Sequence, residues 1–462
     1  MDQFGLNRDK AEQLLKQRFG LDRFYDEQWE TISRVLRGER LLLIERTGFG
    51  KSLCFQFPAM LFDGLTVVFS PLIALMRDQV NKLQALGIVA KCINSNQSDE
   101  ENMNVISDAK QGSVKILYIA PERQENMTWL EEVRHMKLSM VVVDEAHCIS
   151  VWGHDFRPAY RRIINLVNLL PKGLPVLATT ATATKRVEHD VASQITGELK
   201  VIRGNLLREN FRLYVVNVQS DDDKLIWLAQ NITKLDGTGI IYTGTVVETE
   251  LISKWYEFLK IPARSYNSRL DADTRKEVES GLLNNEWKCV ISTNALGMGI
   301  DKPDLRFIIH TQFPQSPVQY YQEIGRAGRD GLSTVIVLLY NPEDRDLPEA
   351  FIEGAKPSTA KYQRVIAAIQ NEMLGEKELM KRTNLGQTQI RVIRADLIDQ
   401  GIIREVYIGK SKKYEFIPNS KPFDPSFYDQ VREAKTKELN AMIEYAETSQ
   451  SRMSYLCEYL ET

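Results

Sequence analysis

The amino-acid sequence predicts an α/β protein with two tandem parallel-sheet domains, followed by a winged-helix-like domain and a C-terminal helical segment. Two observations predict the tandem domains: strand-length apolar runs alternate with helix-length polar stretches over residues 40–202, and the alternation restarts at residue 239. The third observation is that the alternation stops after Asn341. We therefore expect domains at residues 1–205, 206–345 and 346–423, with the helical segment at 424–462.

The first domain is predicted from five apolar runs, each the length of a strand that is buried on both faces. They cover residues 41–44, 66–69, 116–119, 140–143 and 176–178. Four further runs predict the second sheet, at residues 240–242, 289–292, 307–310 and 335–339, with a helix at 248–259. The two domains are expected to join near residues 204–212.

The residues after the second domain predict helices at 362–373, 376–383 and 387–400, with a turn at 384–386. A hairpin is expected from residues 402–408 and 412–417. Helix, turn, helix and hairpin in this order indicate a winged helix, and the alternative is a helical appendage that braces the rest of the protein. Residues 428–460 predict one long helix, or a helical hairpin that breaks at Gln450 and Ser451.

Composition narrows the class of protein. Hydrophobic residues make up 43% and charged residues 26% of the 462 residues, which is typical of a soluble globular protein. The first ten residues lack the apolar core of a secretory signal and the apolar runs are strand-sized, so we expect a cytoplasmic protein without a membrane segment. The net charge of −3 argues against a passive nucleic-acid coat, whereas a motor needs only a local basic track.

The cysteines give no sign of a metal or disulfide framework. There are five, at positions 54, 92, 148, 289 and 457, and none forms a CxxC pair. We therefore expect reduced thiols and no bound zinc.

A phosphate-binding loop is predicted directly after the first strand and before a helix. Its backbone N–H groups are expected to face the phosphates, Lys51 to reach the β- and γ-phosphates, and the Ser52 hydroxyl to be a magnesium ligand. Glu45 stands where the strict motif has its first glycine. The alternative is a chance loop of this composition. The loop consists of Thr47, Gly48, Phe49, Gly50, Lys51 and Ser52.

Two adjacent acids follow the fourth apolar run of the first domain. Asp144 is expected to hold magnesium through water, and Glu145 to orient the attacking water and take its proton. The alternative is a helix N-cap, because acidic residues favour that position. Their place about 90 residues behind a phosphate loop favours the catalytic interpretation.

The second domain carries a basic stretch, GRAGR, at residues 325–329. Arg326 and Arg329 are expected to reach across the interdomain cleft to the γ-phosphate and to stabilise charge in the transition state. Gln322, which precedes them, is expected to contact the nucleotide. The alternative is a basic helix start on a solvated surface.

An aromatic-rich loop follows the two acids directly. Trp152 and Phe156 can stack on bases, while His154 and Arg157 can contact phosphates. An isolated aromatic residue more often belongs to a core, but this stretch is polar between its rings. We therefore expect a contact with nucleic acid.

These residues resemble the RecQ family of superfamily 2 DNA helicases over residues 19–341. The most specific match is DEAHCISVWGHDFRPAY at 144–160, where the acidic motif is fused to the aromatic-rich loop. Supporting matches are TGFGKS at 47–52, SPLIALMRDQV at 70–80, YIAPER at 118–123, TATAT at 180–184, ALGMGIDKPDLRF at 295–307 and YYQEIGRAGRDG at 320–331.

The resemblance implies two RecA-like domains that use ATP and Mg²⁺ to move 3'-to-5' along single-stranded DNA and to separate the duplex, in DNA repair or recombination. It implies a bacterial-type intracellular protein that joins the nucleoid when it acts. We expect a monomer, and the sequence identifies no protein partner. Duplex contact is expected from basic residues of the winged-helix-like domain, namely Arg391, Arg394, Lys410, Lys412 and Lys413.

The sequence departs from the family pattern in three places. The adenine-binding stretch, usually F-R-x-x-Q, keeps Gln28 as the adenine reader but has Tyr25 in place of the stacking arginine. The four-cysteine zinc module that commonly follows the motor is missing, so the chain is either truncated before that module or a natural zinc-free member. The accessory domain for branched DNA is missing too, which leaves the preferred DNA structure open.

Two other functions stay open. An RNA helicase is one, because the DEAH motif also occurs there, although the aromatic-rich loop and the stretch at 295–307 favour DNA. The other is a winged-helix DNA-binding regulator whose ATP domain is only a switch. It predicts tight duplex binding without duplex separation.

Overall fold

The computed structural model describes residues 5–125, 127–150, 157, 159–195, 197–296, 301–354, 357–409 and 411–462. The chain divides into two compact units. The first consists of Met1–Pro342 together with Met442–Thr462, and the second of Glu343–Ala441. The first unit contains two parallel sheets, which we call the first lobe and the second lobe.

The first lobe is built on a seven-stranded parallel sheet with the strand order β3-β4-β2-β5-β6-β1-β7. Its inner strands are mostly apolar because helices cover both faces of the sheet, and separate apolar cores fill the two faces. The strands are β1 (Arg40–Ile44), β2 (Leu65–Phe69), β3 (Ala90–Ile93), β4 (Ile116–Ile119), β5 (Leu138–Val143), β6 (Val176–Thr180) and β7 (Leu199–Arg203).

The described part of the first lobe contains eight α-helices. Ser98 begins α5 with a capping box, in which its side chain accepts from the Glu101 N–H and Glu101 accepts from the Ser98 N–H. The helices are α1 (Arg8–Phe19), α2 (Asp26–Leu36), α3 (Leu53–Leu61), α4 (Ile73–Ala85), α5 (Asp99–Lys110), α6 (Met127–Glu132), α7 (Ala159–Leu169) and α8 (Lys185–Gln194).

The second lobe has a six-stranded parallel sheet with the order β10-β11-β9-β12-β13-β8. Its strands are β8 (Phe211–Asn217), β9 (Thr238–Tyr242), β10 (Ala263–Tyr266), β11 (Cys289–Ser292), β12 (Leu305–His310) and β13 (Thr334–Tyr340). Its helices are α9 (Asp221–Asn231), α10 (Val246–Phe258), α11 (Ala272–Leu283) and α12 (Pro317–Ile324). The prediction of two parallel α/β domains is confirmed.

The second unit has its own apolar core around Tyr362, whose ring stacks on Phe423 at 4.3 Å between centroids. The unit contains helices, an antiparallel hairpin of two strands and most of the following helix, α17. Its elements are α13 (Asp346–Gly354), α14 (Thr359–Ile369), α15 (Glu376–Thr383), α16 (Gln387–Asp399), β14 (Ile403–Ile408), β15 (Ser411–Phe416) and α17 (Ser426–Glu447). The predicted helices and hairpin are present, and the winged-helix assignment stays a prediction.

The C-terminal helix α18 (Arg452–Glu461) belongs to the first unit. It packs against α12 and β8 of the second lobe. The end of α17 adds Tyr445, whose hydroxyl lies 3.4 Å from that of Tyr320 on α12. Residues 448–451 separate α17 from α18, which confirms the predicted break near Gln450 and Ser451.

Two properties bear on function class. Among the described residues, none of the helices combines the length and the hydropathy needed to cross a membrane. Within the same ranges, no three His, Cys, Asp or Glu side chains form a cluster that could hold a metal ion.

Candidate nucleotide site between the lobes

The predicted phosphate-binding loop connects β1 to α3. Gly48 and Gly50 have φ angles of +84° and +89°, a backbone conformation that favours glycine. A Cβ atom on Gly50 would lie 2.7 Å from Nε2 of Gln28, so a larger residue does not fit. The loop therefore has the strand-to-helix position and the tight glycine turns that phosphate binding requires.

Lys51 points back into the loop. Its Nζ atom donates to the backbone carbonyls of Glu45, at 2.8 Å, and Arg46, at 3.2 Å. Burial lowers the pKa of Lys51, and the carboxylates of Glu145 and Asp144 oppose this effect. A cation that is held by carbonyls close to two acids can exchange those carbonyls for phosphate oxygens.

Asp144 and Glu145 follow β5 at the carboxyl edge of the first sheet. Asp144 Oδ1 accepts hydrogen bonds from Thr179 Oγ1, at 2.8 Å, and from the Glu145 N–H, at 3.0 Å. Glu145 has a φ of +51°, a strained conformation for a non-glycine residue, which turns its side chain away from the path of the strand. His147 Nδ1 lies 3.3 Å from Glu145 Oε2.

The pKa values of the two acids are shifted in opposite directions. Burial, helped by the neighbouring Glu145 carboxylate, raises the pKa of Asp144. Burial also acts to raise the pKa of Glu145, but the contact with His147 and the charges of Lys51 and Arg326 together outweigh it, and this pKa lies below its ordinary value. Glu145 is therefore ionised at neutral pH, as a general base must be.

The two predicted arginines lie just after α12, on the side of the second lobe that faces the phosphate loop. Arg329 Nη1 donates to Asp301 Oδ1 at 2.8 Å, and a Cβ on Gly48 would lie 3.2 Å from Arg329 Cγ. Arg326 is close enough to Glu145 to lower its pKa. The Nε atoms of both arginines are buried and have no hydrogen-bond partner among the described residues, which leaves donors for an anion.

The residues predicted to recognise adenine contact the loop itself. Gln28 Nε2 donates to the Phe49 carbonyl at 2.9 Å, and Gln28 Oε1 accepts from the Tyr25 N–H at 2.9 Å. The exposed Tyr25 ring stacks on the Phe49 ring with 5.5 Å between centroids. Gln322 lies on α12 with a partly exposed side chain.

Two residues near the loop were missed as functional groups. The Glu45 side chain is 1% exposed, and its Oε1 has no hydrogen-bond partner among the described residues. A Cβ on Gly204 would lie 1.6 Å from this oxygen, so the interlobe linker packs on the carboxyl group. Burial, with a smaller contribution from Glu27, raises the pKa of Glu45 to about 7. The only signal in the sequence was the missing glycine of the strict motif.

The second missed residue is Arg208, in the linker at residues 204–210. Arg208 is 5% exposed, and it lines a cavity of about 640 Å³ between the phosphate loop and residues 325–331, which we call the arginine loop. Other residues of that cavity include Tyr25, Arg46, Thr47, Gly48 and Arg329. No sequence motif distinguishes Arg208 from the chain's other arginines.

The nucleic-acid residues predicted near the acids are only partly described. Arg157 Nη1 donates to the Pro71 carbonyl at 3.2 Å. Trp152, His154 and Phe156 lie outside the described residues.

The basic residues predicted to bind duplex DNA in the second unit have acidic partners. Arg391 Nε and Arg394 Nη1 lie 3.2 Å and 3.6 Å from the carboxylate of Glu376. Lys412 pairs with Glu405 at 2.8 Å, and Lys413 with Glu378 at 3.5 Å. Lys410 lies outside the described residues. Their role in DNA binding stays a prediction.

Comparison with known proteins agrees with this geometry. Residues 25–191 match the DEAD/DEAH box helicase family, and residues 223–331 match the helicase conserved C-terminal domain. The probable ATP-dependent DNA helicase RecS of Bacillus subtilis is 36% identical over 398 residues, which are 83% of this chain and 78% of RecS. The chain belongs to the RecQ family of helicases.

A second RecQ-family relative is longer. The ATP-dependent DNA helicase RecQ of Bacillus subtilis is 41% identical over 350 residues, which are 75% of this chain and 59% of that protein. The chain therefore spans less than two thirds of that relative. Among solved structures, the DUF1998 helicase MrfA bound to DNA has a TM-score of 0.61 at 19% identity, with 94% of this chain and 64% of that chain covered. This likeness supports the fold alone.

Proposed function

We propose that the chain is an ATP-dependent DNA helicase that couples ATP hydrolysis to 3'-to-5' movement on single-stranded DNA and to duplex separation. The observation that supports this most directly is the division of the site. Lys51, Asp144 and Glu145 come from the first lobe, and Arg326 and Arg329 come from the second. Hydrolysis at such a site depends on the approach of the two lobes, which is how a motor converts chemistry into movement.

The residues of the first lobe fit ATP with Mg²⁺. Lys51 would exchange its carbonyl partners for phosphate oxygens, and the loop N–H groups would donate to the same phosphates. Ser52 and, through water, Asp144 would hold the magnesium ion, which neutralises phosphate charge when bound. Glu145 would orient the attacking water and accept its proton, because its pKa keeps it ionised.

The arginines of the second lobe are suited to stabilise the negative charge that develops in the transition state. Arg326 and Arg329 have buried Nε donors without described partners, next to the phosphate loop. Such donors stabilise negative charge without rearranging in the transition state. Tyr25, which lines the cavity, and Gln28, which donates to the Phe49 carbonyl of the phosphate loop, would position adenine, with Gln322 as a further nucleotide contact.

We propose DNA as the track because the aromatic-rich loop directly follows the catalytic acids in the sequence. Movement of the loop when bases stack on Trp152 and Phe156 would be transmitted to Glu145, which is only a few residues away in the sequence. Base stacking contributes about 1–3 kcal/mol per base. Repair or recombination, action as a monomer and a cytoplasmic, nucleoid-associated location are the settings that the RecQ resemblance implies.

The test is an unwinding assay on DNA duplexes with a 3' or a 5' single-stranded tail, with and without ATP. We expect separation of the 3'-tailed duplex with ATP only. The Glu145→Gln variant serves as the matched control: it should bind ATP but turn it over about 10²- to 10⁴-fold more slowly, because the general base is lost. Preference for an RNA duplex would support the RNA helicase alternative, and tight duplex binding without separation would support the regulator.

A further inference from the structure

We infer that Arg208 is a positioning residue that fixes the arginine loop of the second lobe against the phosphate loop of the first. This inference rests on the proposed ATPase function and deepens it. Arg208 lies in the linker between the lobes rather than in a recognisable motif, so the linker would be part of the catalytic site and more than a tether.

The geometry of the guanidinium group carries the inference. Nη1 of Arg208 donates to the Thr47 carbonyl of the phosphate loop at 3.1 Å. Nη2 donates to the carbonyls of Ala327 and Gly328, each at 2.9 Å. One side chain therefore joins the two loops, and its last acceptor belongs to the residue directly before Arg329.

The surroundings make these bonds selective for arginine. The side chain is 5% exposed, its Cζ lies 4.4 Å from the centroid of the Phe211 ring, and its acceptors among the described residues are all carbonyl oxygens. Burial lowers the pKa of Arg208 to about 10. A buried cation without a carboxylate is costly, and only a planar guanidinium group donates in all these directions at once.

A neighbouring side chain, that of Asn210, binds the same part of the arginine-loop backbone. Asn210 Nδ2 donates to the carbonyls of Gly328, at 2.9 Å, and Leu332, at 3.0 Å. Gly328 has a φ of +57°, and a Cβ there would lie 2.5 Å from Asn210 Nδ2. The backbone before Arg329 is thus held in one conformation by the linker. Loss of Arg208 should release Arg329 from its place beside Gly48.

The test is a double-mutant cycle on the turnover number of the full chain with saturating ATP, Mg²⁺ and single-stranded DNA. Arg208→Gln should lower kcat about ten-fold or more and leave the KM for ATP within about two-fold, since the lost bonds involve a charged donor. In the Arg329→Ala background the same substitution should lower kcat less than about two-fold, because the residue it positions is gone. Equal fold losses in both backgrounds would overturn the inference.

Two further variants separate positioning from folding. Arg208→Lys keeps the charge but not the fork of donors, and it should remain as slow as Arg208→Gln. Arg212→Gln replaces an exposed arginine four residues away, on β8, and should match the wild type. Wild-type speed in Arg208→Lys would contradict the positioning role.

A measurement without turnover distinguishes a failure of this inference from a failure of the proposed function. Amide hydrogen exchange should be faster in segments 46–51 and 325–331 of Arg208→Gln, and unchanged in Arg212→Gln. If the wild type hydrolyses no ATP, the proposed function fails, while this exchange result still decides whether Arg208 joins the two loops. Unchanged exchange in both segments would refute the inference.

Discussion

The cations of the nucleotide site and those of the second unit have different partners. Lys51 and Arg208 donate to backbone carbonyls, and Arg329 shares one carboxylate, that of Asp301, while its Nε stays without a described partner. In the second unit, Arg391 and Lys413 lie against Glu376 and Glu378. Carbonyls leave most of a positive charge available to an anion, whereas a carboxylate neutralises it.

A count of basic residues therefore does not predict a phosphate site. The sequence predicted phosphate contacts in both regions, from local motifs at the nucleotide site and from a cluster of lysines and arginines in the second unit. The structure distinguishes them by what faces each cation. We therefore expect large effects from substitutions at the nucleotide site and small effects from those in the second unit.

The largest effect is expected for Arg329→Ala. The turnover number with single-stranded DNA should fall about 10³-fold, while the KM for ATP changes much less, because the arginine acts mainly on transition-state charge. Steady-state ATPase kinetics measure both constants. Arg326 can share the task, so Arg326→Ala should give a smaller loss of kcat. A change in ATP affinity alone for both variants would indicate a purely structural role.

The second prediction concerns Glu45, whose Oε1 has no hydrogen-bond partner among the described residues. Its folded-state pKa of about 7 lies above the ordinary glutamate value of 4.5, so ionisation costs stability as pH rises from 4.5 to 7. Glu45→Gln should therefore raise the melting temperature at pH 8 by several degrees, with a free-energy gain on the order of 3 kcal/mol. The difference should vanish near pH 4.5.

A matched acid provides the control. Glu39 accepts hydrogen bonds from Lys200 and Arg37, and these outweigh its burial and lower its pKa. Glu39→Gln should therefore not raise the melting temperature at pH 8. A Glu45→Gln variant no more stable than wild type at that pH would mean that Glu45 has a compensating partner.

The smallest effects are expected in the second unit. Alanine at Arg391 and Lys413 should weaken duplex DNA binding by only about three-fold at moderate salt, because both cations already have carboxylate partners. Glutamine at Glu376 and Glu378 should strengthen binding and steepen its dependence on salt, since it frees those cations for phosphates. Titrations at several salt concentrations measure both changes. Unchanged binding in both variants would leave this unit as a brace.

The inner strands of both sheets were predictable, and the edge strands were not. β3, β7, β8 and β10 went unrecognised, and each lies at an edge of its sheet. Edge strands carry charged residues such as Lys91, Lys200, Arg212 and Arg264, which interrupt the apolar pattern. An edge strand is recognised by its pairing with a single neighbouring strand in the sheet. A local sequence pattern does not reveal that pairing.

In the nucleotide site, too, the residues in local sequence patterns were predictable, and those defined by distant contacts were not. Local motifs predicted Lys51, Asp144, Glu145 and Arg329, because the residue types in each motif indicate its chemistry. Arg208 acquires its role from carbonyls 161 and about 120 residues away, at Thr47 and Gly328. Glu45 acquires its raised pKa from the linker that buries it. Tertiary contacts decide both, so the sequence alone did not reveal them.

The rate of ATP hydrolysis with and without single-stranded DNA shows most directly whether the chain is a DNA-stimulated motor. We predict a low rate for the protein alone, a rise of about ten-fold or more with DNA, and no hydrolysis above background for Lys51→Ala in either condition. A wild-type rate that depends on Lys51 but is the same with and without single-stranded DNA would contradict the motor and identify an ATPase that does not respond to its track.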